Sequence, residues 1–300
     1  HLNIVDGIFE SASDYHDVTI ASGSTLELTG DITVSGNWTN NGTFTAGTHG
    51  VTFDGNGLST QNVSGSNTFY HLTINGGSIT EFIDLNAITV VSSNSIINGN
   101  VQFNGTFINN GNIDLQSLGT MTCNGTFDGT SGILDATAPD RHLILNDSVI
   151  SLGVPPSFSI FFAPTIIYGG TAKNIYAADY GNLIISLQNL SDTIFLNGTT
   201  RVYQNLDILS GTLSNNTHTL EFGPNVDRSG PGYNIRINQH FYNGFVSKQF
   251  DSTDPFTYFI GDGTNYRPIT LISSNTNSNN ISAAYMFAAQ NQSSLNSSLS

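Results

Sequence analysis

The chain has 300 residues, of which 38% are hydrophobic and only 10% are charged, and its 19 Phe and 11 Tyr indicate a folded protein rather than a disordered one. Its 22 acidic residues outnumber its 7 Lys and Arg and give a formal net charge of −15. This balance excludes nucleic-acid binding, which needs cations to neutralise phosphates. The single cysteine excludes an intrachain disulfide, and no apolar stretch approaches the roughly 20 residues of a membrane-spanning helix, so we expect no membrane insertion.

The first elements along the chain are short segments in which apolar and polar residues alternate. They are VTI (18–20), LEL (26–28), ITV (32–34), VTF (51–53) and LTI (72–74). Gly, Asn, Ser and Asp separate them, which is typical of strands joined by tight turns. The most helix-like stretch is DGIFESASDY (6–15), and we expect residues 1–15 to form a short cap.

Two longer stretches repeat each other. A shift of 69 positions superimposes the glycines and paired asparagines of residues 30–50 on those of residues 99–119 without a gap. A second phrase occurs four times, as YHLTI (70–74), RHLIL (141–145), GNLII (181–185) and QNLDI (204–208). Its last two copies are 23 residues apart, and 69 is three times 23. Such a period predicts an all-β fold, a parallel β-helix with coils of about 23 residues over positions 16–225.

This repeat predicts which residues stack on one another. Trp38 and Phe107 become equivalent inward aromatics, and Phe53 becomes equivalent to Cys123, which is then a buried small hydrophobe rather than a nucleophile. The two Asn-Asn-Gly sequences, at 40–42 and 109–111, are expected at turns. Asn and Gly tolerate positive φ there, and asparagines of neighbouring coils can form amide ladders.

The spacing fails from about residue 226, and residues 226–300 are expected to form a smaller β-rich cap or partial domain. Within it, residues 248–273 (KQFDSTDPFTYFIGDGTNYRPITLIS) predict strands of a hairpin around the turn residues DGTN. The sequence SNTNSNNIS (274–282) is linker-like.

The phrases GNWTNNGTFTAGTHGVTFDG and QNVSGSNTFYHLTING resemble repeats in very large cell-surface proteins of Bacteroidetes-type bacteria, which are exported by the type IX secretion system and include gliding adhesins. The segment FTYFIGDGTNYRPITL is similar to a phrase near the end of such repeat regions. The resemblance implies an extracellular, adhesive or structural protein without a shared active site. It also implies an O-glycosylation pattern, Asp-Ser/Thr followed by a small or apolar residue, that Ser148, Thr193 and Ser252 fit.

A parallel β-helix also suits polysaccharide-degrading enzymes, so the alternative function is catalytic. Glycoside hydrolysis needs two carboxylates across one groove. Asp31 and Asp54 are 23 residues apart and are the candidate pair. A lyase reaction would need an Arg base near acids, for which Arg141 beside Asp135 and Asp140 is the nearest match.

The sequence patterns for metal, cofactor and ice-binding sites are weaker. His71 and His142 precede equivalent leucines, where Asn182 and Asn205 stand later, so this position is predicted to form hydrogen bonds rather than to bind metal. No cofactor is predicted, although the acidic turn 251–262 is compatible with weak surface calcium. An ice-binding solenoid would need Thr-x-Thr on successive coils, and three such motifs begin at Thr43, Thr120 and Thr217 with unsuitable spacing.

The sequence therefore predicts a non-catalytic extracellular rod or filament subunit with an Asn/Thr/Ser-rich surface. Its partners are expected to be a glycan or surface ligand and, at the open ends of the solenoid, further copies or repeats. The alternatives are a carbohydrate-active β-helix enzyme and, less well supported, an ice-binding protein. The ligand and the state of assembly are not determined by the sequence.

Overall fold

The computed structural model describes residues 1–55, 60–75, 82–85, 88–116, 120–135, 141–152, 165–224, 226, 235–237, 243–250, 255–258, 269–272 and 279–283. Across these ranges the chain forms strands, turns and no helix, so it has no helix long and apolar enough to cross a membrane. The strands of successive coils pair in parallel and build a β-solenoid of about nine turns, which confirms the predicted fold class.

The coils build three faces, and the strands are numbered β1 to β33 along the chain. Face 1 contains β1 (Leu2–Ile4), β3 (Val18–Ile20), β6 (Trp38–Asn40), β9 (Thr60–Ser64), β12 (Phe82–Leu85), β15 (Asn100–Phe103), β18 (Thr120–Cys123), β21 (His142–Leu145), β23 (Thr165–Gly170), the later parts of β25 (Asp179–Leu187) and β27 (Thr200–Ser210), and β29 (Ile235–Ile237).

Face 2 follows the first corner of each coil. It contains β2 (Ile8–Ser11), β4 (Thr25–Leu28), β7 (Thr43–Thr45), β10 (Asn67–Phe69), β13 (Thr89–Val91), β16 (Phe107–Asn109), β19 (Phe127–Asp128), β22 (Val149–Ser151), β24 (Asn174–Ile175), β26 (Thr193–Leu196) and the start of β28 (Thr212–Phe222).

Face 3 closes the coil. It contains β5 (Ile32–Val34), β8 (Gly50–Phe53), β11 (His71–Asn75), β14 (Ser95–Asn98), β17 (Asn112–Leu115), β20 (Ile133–Asp135), the first residues of β25 and β27, the end of β28 and most of β30 (Asn243–Phe250). The predicted strand triplets 18–20, 26–28, 32–34, 51–53 and 72–74 all lie within observed strands.

Apolar residues of successive coils stack inside the solenoid in columns. The column in face 1 runs through Val18, Trp38, Val63, Leu85, Phe103, Cys123, Leu145, Tyr168, Ile185 and Ile208, all of which are buried. The residue numbers give nine coils of 17 to 25 residues, close to the predicted 23. At about 4.8 Å per coil, these coils span about 43 Å.

The two repeated phrases occupy different faces, so the predicted equivalences were wrong. Trp38 lies on face 1 but Phe107 lies on face 2, and Phe53 lies on face 3 but Cys123 lies on face 1. The residue three coils above Trp38 is Phe103, only 65 positions later. The shift of 69 therefore moves the phrase by three coils and one further corner. The shift aligns these residues because the two corners need the same kind of turn, not because the residues stack on one another.

The two Asn-Asn-Gly turns have the same hydrogen-bond geometry although they occur at different corners. The Oδ1 atom of Asn40 accepts the Gly42 N–H at 3.1 Å, and that of Asn109 accepts the Gly111 N–H at 3.0 Å. The predicted turns are confirmed, but neither glycine has a positive φ. Instead, a Cβ atom on Gly42 would lie 2.3 Å from the Ser24 carbonyl oxygen of the preceding coil. Close approach between coils is what requires glycine here.

Amide ladders are present at the end of the face 1 strands, at the corner that leads to face 2. The Nδ2 atom of Asn124 donates to Oδ1 of Asn104 at 2.8 Å, and Asn146 donates to Asn124 at the same distance. These asparagines follow β15, β18 and β21 directly, one per coil. The predicted ladder therefore exists, chiefly through asparagines outside the repeated turns, although Asn40 also donates its amide to Asn67 of the next coil.

Residues at the two ends of the solenoid depart from the predicted boundaries. Residues 6–15 contain strand β2 rather than a helix, and β1 and β2 form the first coil. Parallel pairing also continues past residue 225 through β29 and β30. The C-terminal strands are antiparallel. In particular, β31 (Pro255–Tyr258) pairs with β32 (Ile269–Ile272) as the predicted hairpin, and β33 (Asn279–Ala283) pairs with β30.

A tyrosine pair interrupts the apolar core in the C-terminal half of the solenoid. Tyr168 and Tyr180 are fully buried with their hydroxyl oxygens 2.9 Å apart. The Tyr168 hydroxyl also accepts the Tyr176 N–H at 3.1 Å, and the Tyr180 hydroxyl donates to the Tyr176 carbonyl at 2.6 Å. Burial raises the pKa of Tyr168 to about 12 and also raises the pKa of Tyr180.

Substituting the corner glycines tests the close approach of coils. Gly42→Ala and Gly111→Ala are each expected to destabilise the protein by about 1–3 kcal/mol, because the new Cβ meets a backbone oxygen that cannot move aside. Gly50→Ala is the matched control, since its Cβ would come no closer than 3.4 Å to any neighbour. Urea unfolding followed by circular dichroism gives the three midpoints. Equal midpoints for all three variants would contradict this explanation.

The tyrosine pair predicts a loss of stability in alkali. The folded-state pKa of Tyr168 lies above the unfolded value of about 10, so its contribution is complete below pH 10 and is lost as the pH rises toward 12. A difference of this size corresponds to about 3 kcal/mol. Tyr168→Phe should unfold more easily at pH 8, because the Tyr176 N–H loses its acceptor, but should show a smaller further loss at pH 11.5. An undiminished alkaline loss in thermal unfolding would contradict this assignment.

Candidate functional site

The predicted carboxylate pair is not brought together. Asp31 immediately precedes β5 and its Oδ1 accepts the Gly50 N–H of the next coil at 2.7 Å. Asp54 follows β8, four residues beyond Gly50 along the strand direction. Four residues of strand span about 13 Å, whereas the two carboxyl groups of a glycosidase are about 5–9.5 Å apart.

The role of Asp31 is one that the sequence reasoning missed. Asp14 accepts the Thr33 N–H and Asp17 accepts the Asn37 N–H, each at 2.7 Å and each from the coil above. These acids therefore cap the starts of strands in the following coil. The sequence pattern that could have predicted this role is an acid 19 or 20 residues before the residue whose N–H it accepts.

Arg141 is unsuited to act as an exposed base. Its side chain is 8% exposed, and its Nη1 lies 3.8 Å from Oδ1 of Asp114, one coil below. Asp135 is in register with Asp114, and Asp140 lies outside the described residues. The guanidinium is thus held inside the wall of the solenoid.

The two histidines belong to different columns. His142 stacks in face 1 with Thr165, Asn182 and Asn205, and Asn205 donates its amide to Asn182, as expected for a hydrogen-bonding position. His71 lies on face 3 instead, where its Nδ1 is 2.7 Å from the Asn94 carbonyl oxygen. Among the described residues there is no cluster of three or more His, Cys, Asp or Glu that could hold a metal, and the acidic turn 251–262 lies largely outside them.

The remaining predicted positions are also placed. The Thr-x-Thr motifs at Thr43, Thr120 and Thr217 lie in β7, β18 and β28, on three different faces. Ser148 is exposed, Thr193 is half-buried within β26, and Ser252 lies outside the described residues. Cys123 is buried and free, and burial raises the pKa of its thiol, which confirms it as a core residue.

An ion-pair column on face 3 went unpredicted. Asp179, Arg201 and Glu221 lie in register on successive coils. The guanidinium donates to Glu221 from Nε at 2.9 Å and from Nη2 at 2.6 Å, and reaches Asp179 at 3.5 Å. Burial disfavours the charge, but hydrogen bonds to Tyr203 and Glu221 and the charge of Asp179 outweigh it and raise the pKa of Arg201. The column joins three coils.

Face 2 contains the one break in stacking that the structure describes between residues 1 and 135. Strand β7 pairs only with β4, and β10 pairs only with β13, so face 2 is divided there into two sheets. The break opens a groove of about 230 Å³, lined by residues 44–47, Thr68, Tyr70 and Ser92. Faces 1 and 3 pass this coil without interruption.

Comparisons with known proteins do not assign this groove. No family model, curated protein or solved structure matches the chain.

If Asp31 caps the start of β8, its replacement by Ala and by Asn should affect stability differently. Asp31→Ala should destabilise the protein by about 0.5–1.5 kcal/mol, because the Gly50 N–H loses its acceptor. Asp31→Asn keeps an acceptor oxygen and should restore most of this loss in urea unfolding. If Asp31→Asn were as unstable as Asp31→Ala, the capping role would be refuted.

Proposed function

We propose that the chain is a non-catalytic structural and adhesive rod of an extracellular cell surface. The observation that carries the proposal is the register itself, which continues in parallel from β1 to β30. A ladder of this kind resists bending and shear, because every coil is hydrogen-bonded to its neighbours on several faces. The extracellular location rests on the resemblance of residues 35–75 to repeats of exported surface proteins.

The described surface favours a role in presenting neutral polar side chains to a ligand over a role in catalysis. Its outward positions are mostly neutral, as in the column Thr33, Thr52 and Thr73 of face 3. Acids at the corners are used as caps for backbone N–H groups, and the candidate catalytic carboxylates are separated along a strand. These placements favour the rod over a carbohydrate-active enzyme, and no particular observation favours an ice-binding surface.

End-to-end association is part of this proposal. Strands β1 and β2 pair only on the side of the following coil in the described chain, so their other edges are available to a further parallel coil. Val5 and Ile8 beside them are about 70% exposed. Another repeat or another copy would cover these side chains and continue the ladder. O-glycosylation is proposed for the exposed Ser148 and for Thr193.

Adsorption and turnover measured on the same polymers test the proposal. Films of cellulose, chitin, agarose and polygalacturonate are exposed to the purified chain in a quartz-crystal microbalance, while released reducing ends and unsaturated products are assayed. We expect saturable adsorption to at least one film and no product. Turnover that disappears in Asp31→Asn or Asp54→Asn would establish an enzyme instead. Absence of adsorption to every film would contradict an adhesive role toward polysaccharides.

A further inference from the structure

The break in face 2 exposes a core residue. On the inward side of face 2, Leu26 of β4 and Phe69 of β10 are fully buried, but Phe44 of β7 is only half-buried. Its ring lies 4.9 Å from that of Trp38 and 5.5 Å from that of Phe69, so it belongs to the aromatic core of this coil. The groove therefore leads from the surface to the edge of the core.

A buried asparagine holds the break in place. Asn67, 3% exposed, accepts the Trp38 indole N–H at 2.8 Å and the Asn40 amide at 3.1 Å through its Oδ1. Its Nδ2 donates to the Gly65 carbonyl at 2.8 Å. Gly65 has φ +86° and passes so close to Asn40 that a Cβ could not be accommodated. This network fixes the start of β10 relative to β6, so the groove is formed without a ligand.

The lining has the chemistry of a site for a neutral sugar. Phe44 and Tyr70 provide aromatic surface, and Thr45, Thr68 and Ser92 provide exposed hydroxyls. None of the lining residues is charged. A pyranose ring presents both an apolar C–H face, which packs on aromatic rings, and hydroxyls, which exchange hydrogen bonds with alcohols and strand edges.

The dimensions of the groove favour a sugar over a peptide as its ligand. Drug-sized ligands occupy pockets of about 300–1,000 Å³, so about 230 Å³ suits one ring rather than a longer molecule. The flanking edges of β7 and β10 are only three residues long, which is short for the addition of a peptide strand. We infer that the groove between β7 and β10 binds one neutral glycosyl unit of a polysaccharide. This inference rests on the proposed adhesive function and identifies a contact point for it.

The only tryptophan of the chain reports on the groove, because Trp38 packs against its Phe44. Trp38 fluorescence is titrated with D-glucose, D-galactose, D-mannose and N-acetyl-D-glucosamine, with D-glucuronate and tetraalanine as charged and peptide probes. We expect a saturable change with at least one neutral sugar, with a dissociation constant in the millimolar range. Tyr70→Ala should weaken that binding about tenfold. Phe195→Ala, which removes an exposed aromatic from β26 of the same face, should leave it unchanged.

Folding of the variants is checked by circular dichroism and thermal unfolding. If Tyr70→Ala does not fold, Thr45→Val and Thr68→Val replace it, since each removes one hydroxyl with little change in shape and should weaken binding severalfold. No saturable response to any of the four sugars, equal affinity in the groove variants, or a response to tetraalanine alone would overturn the inference. Adsorption of the protein to polysaccharide films without monosaccharide binding would overturn only this inference and leave the proposed function standing.

Discussion

The structure depends on the vertical distance between coils. Backbone hydrogen bonding fixes this distance at about 4.8 Å wherever strands of successive coils pair, so the corners between paired strands must bring two chain segments equally close. Only a residue without a side chain fits where the carbonyl oxygen of Ser24 lies beneath Gly42, and the same holds at Gly111 above Ser93. Polar groups at the corners must then find partners in the neighbouring coil, which the ladder of Asn104, Asn124 and Asn146 and the acidic caps provide.

This constraint explains which parts of the fold the sequence predicts. Alternation in triplets such as VTI and ITV is a local property, and it identified strands and their inward residues. Stacking partners are not local. A phrase such as Asn-Asn-Gly meets the requirements of any corner, so its recurrence after 69 residues could not show that Trp38 and Phe107 lie on different faces. Coils of 17 to 25 residues add to this uncertainty, because a drift of four residues moves an inward side chain to the next corner.

The candidate functional residues were harder to predict than the strands, because they too depend on which residues are neighbours in space. The spacing of Asp31 and Asp54 suggested one coil, but Asp31 stands at the start of one strand and Asp54 beyond the end of its neighbour, about 13 Å away along the strand direction. The groove in face 2 has no recognisable motif. It follows from a polar residue, Asn67, which begins a buried column that continues with Thr89, Phe107 and Phe127. It also follows from the hydrogen bonds that Trp38 and Asn40 donate to Asn67. Only the three-dimensional structure brings these residues together.

The same sequence phrase occurs at two different corners, and this affects how a solenoid of this kind can evolve. A duplicated or deleted segment that contains one strand and one turn, rather than a whole coil, would rotate all later strands by a third of a turn about the long axis. The turns would remain compatible with the fold at two of the three corners, because the same Asn-Asn-Gly turn forms at both. The outer surfaces would be redistributed around the rod. New combinations of neighbouring surface patches could thus arise from short genetic events without a new fold.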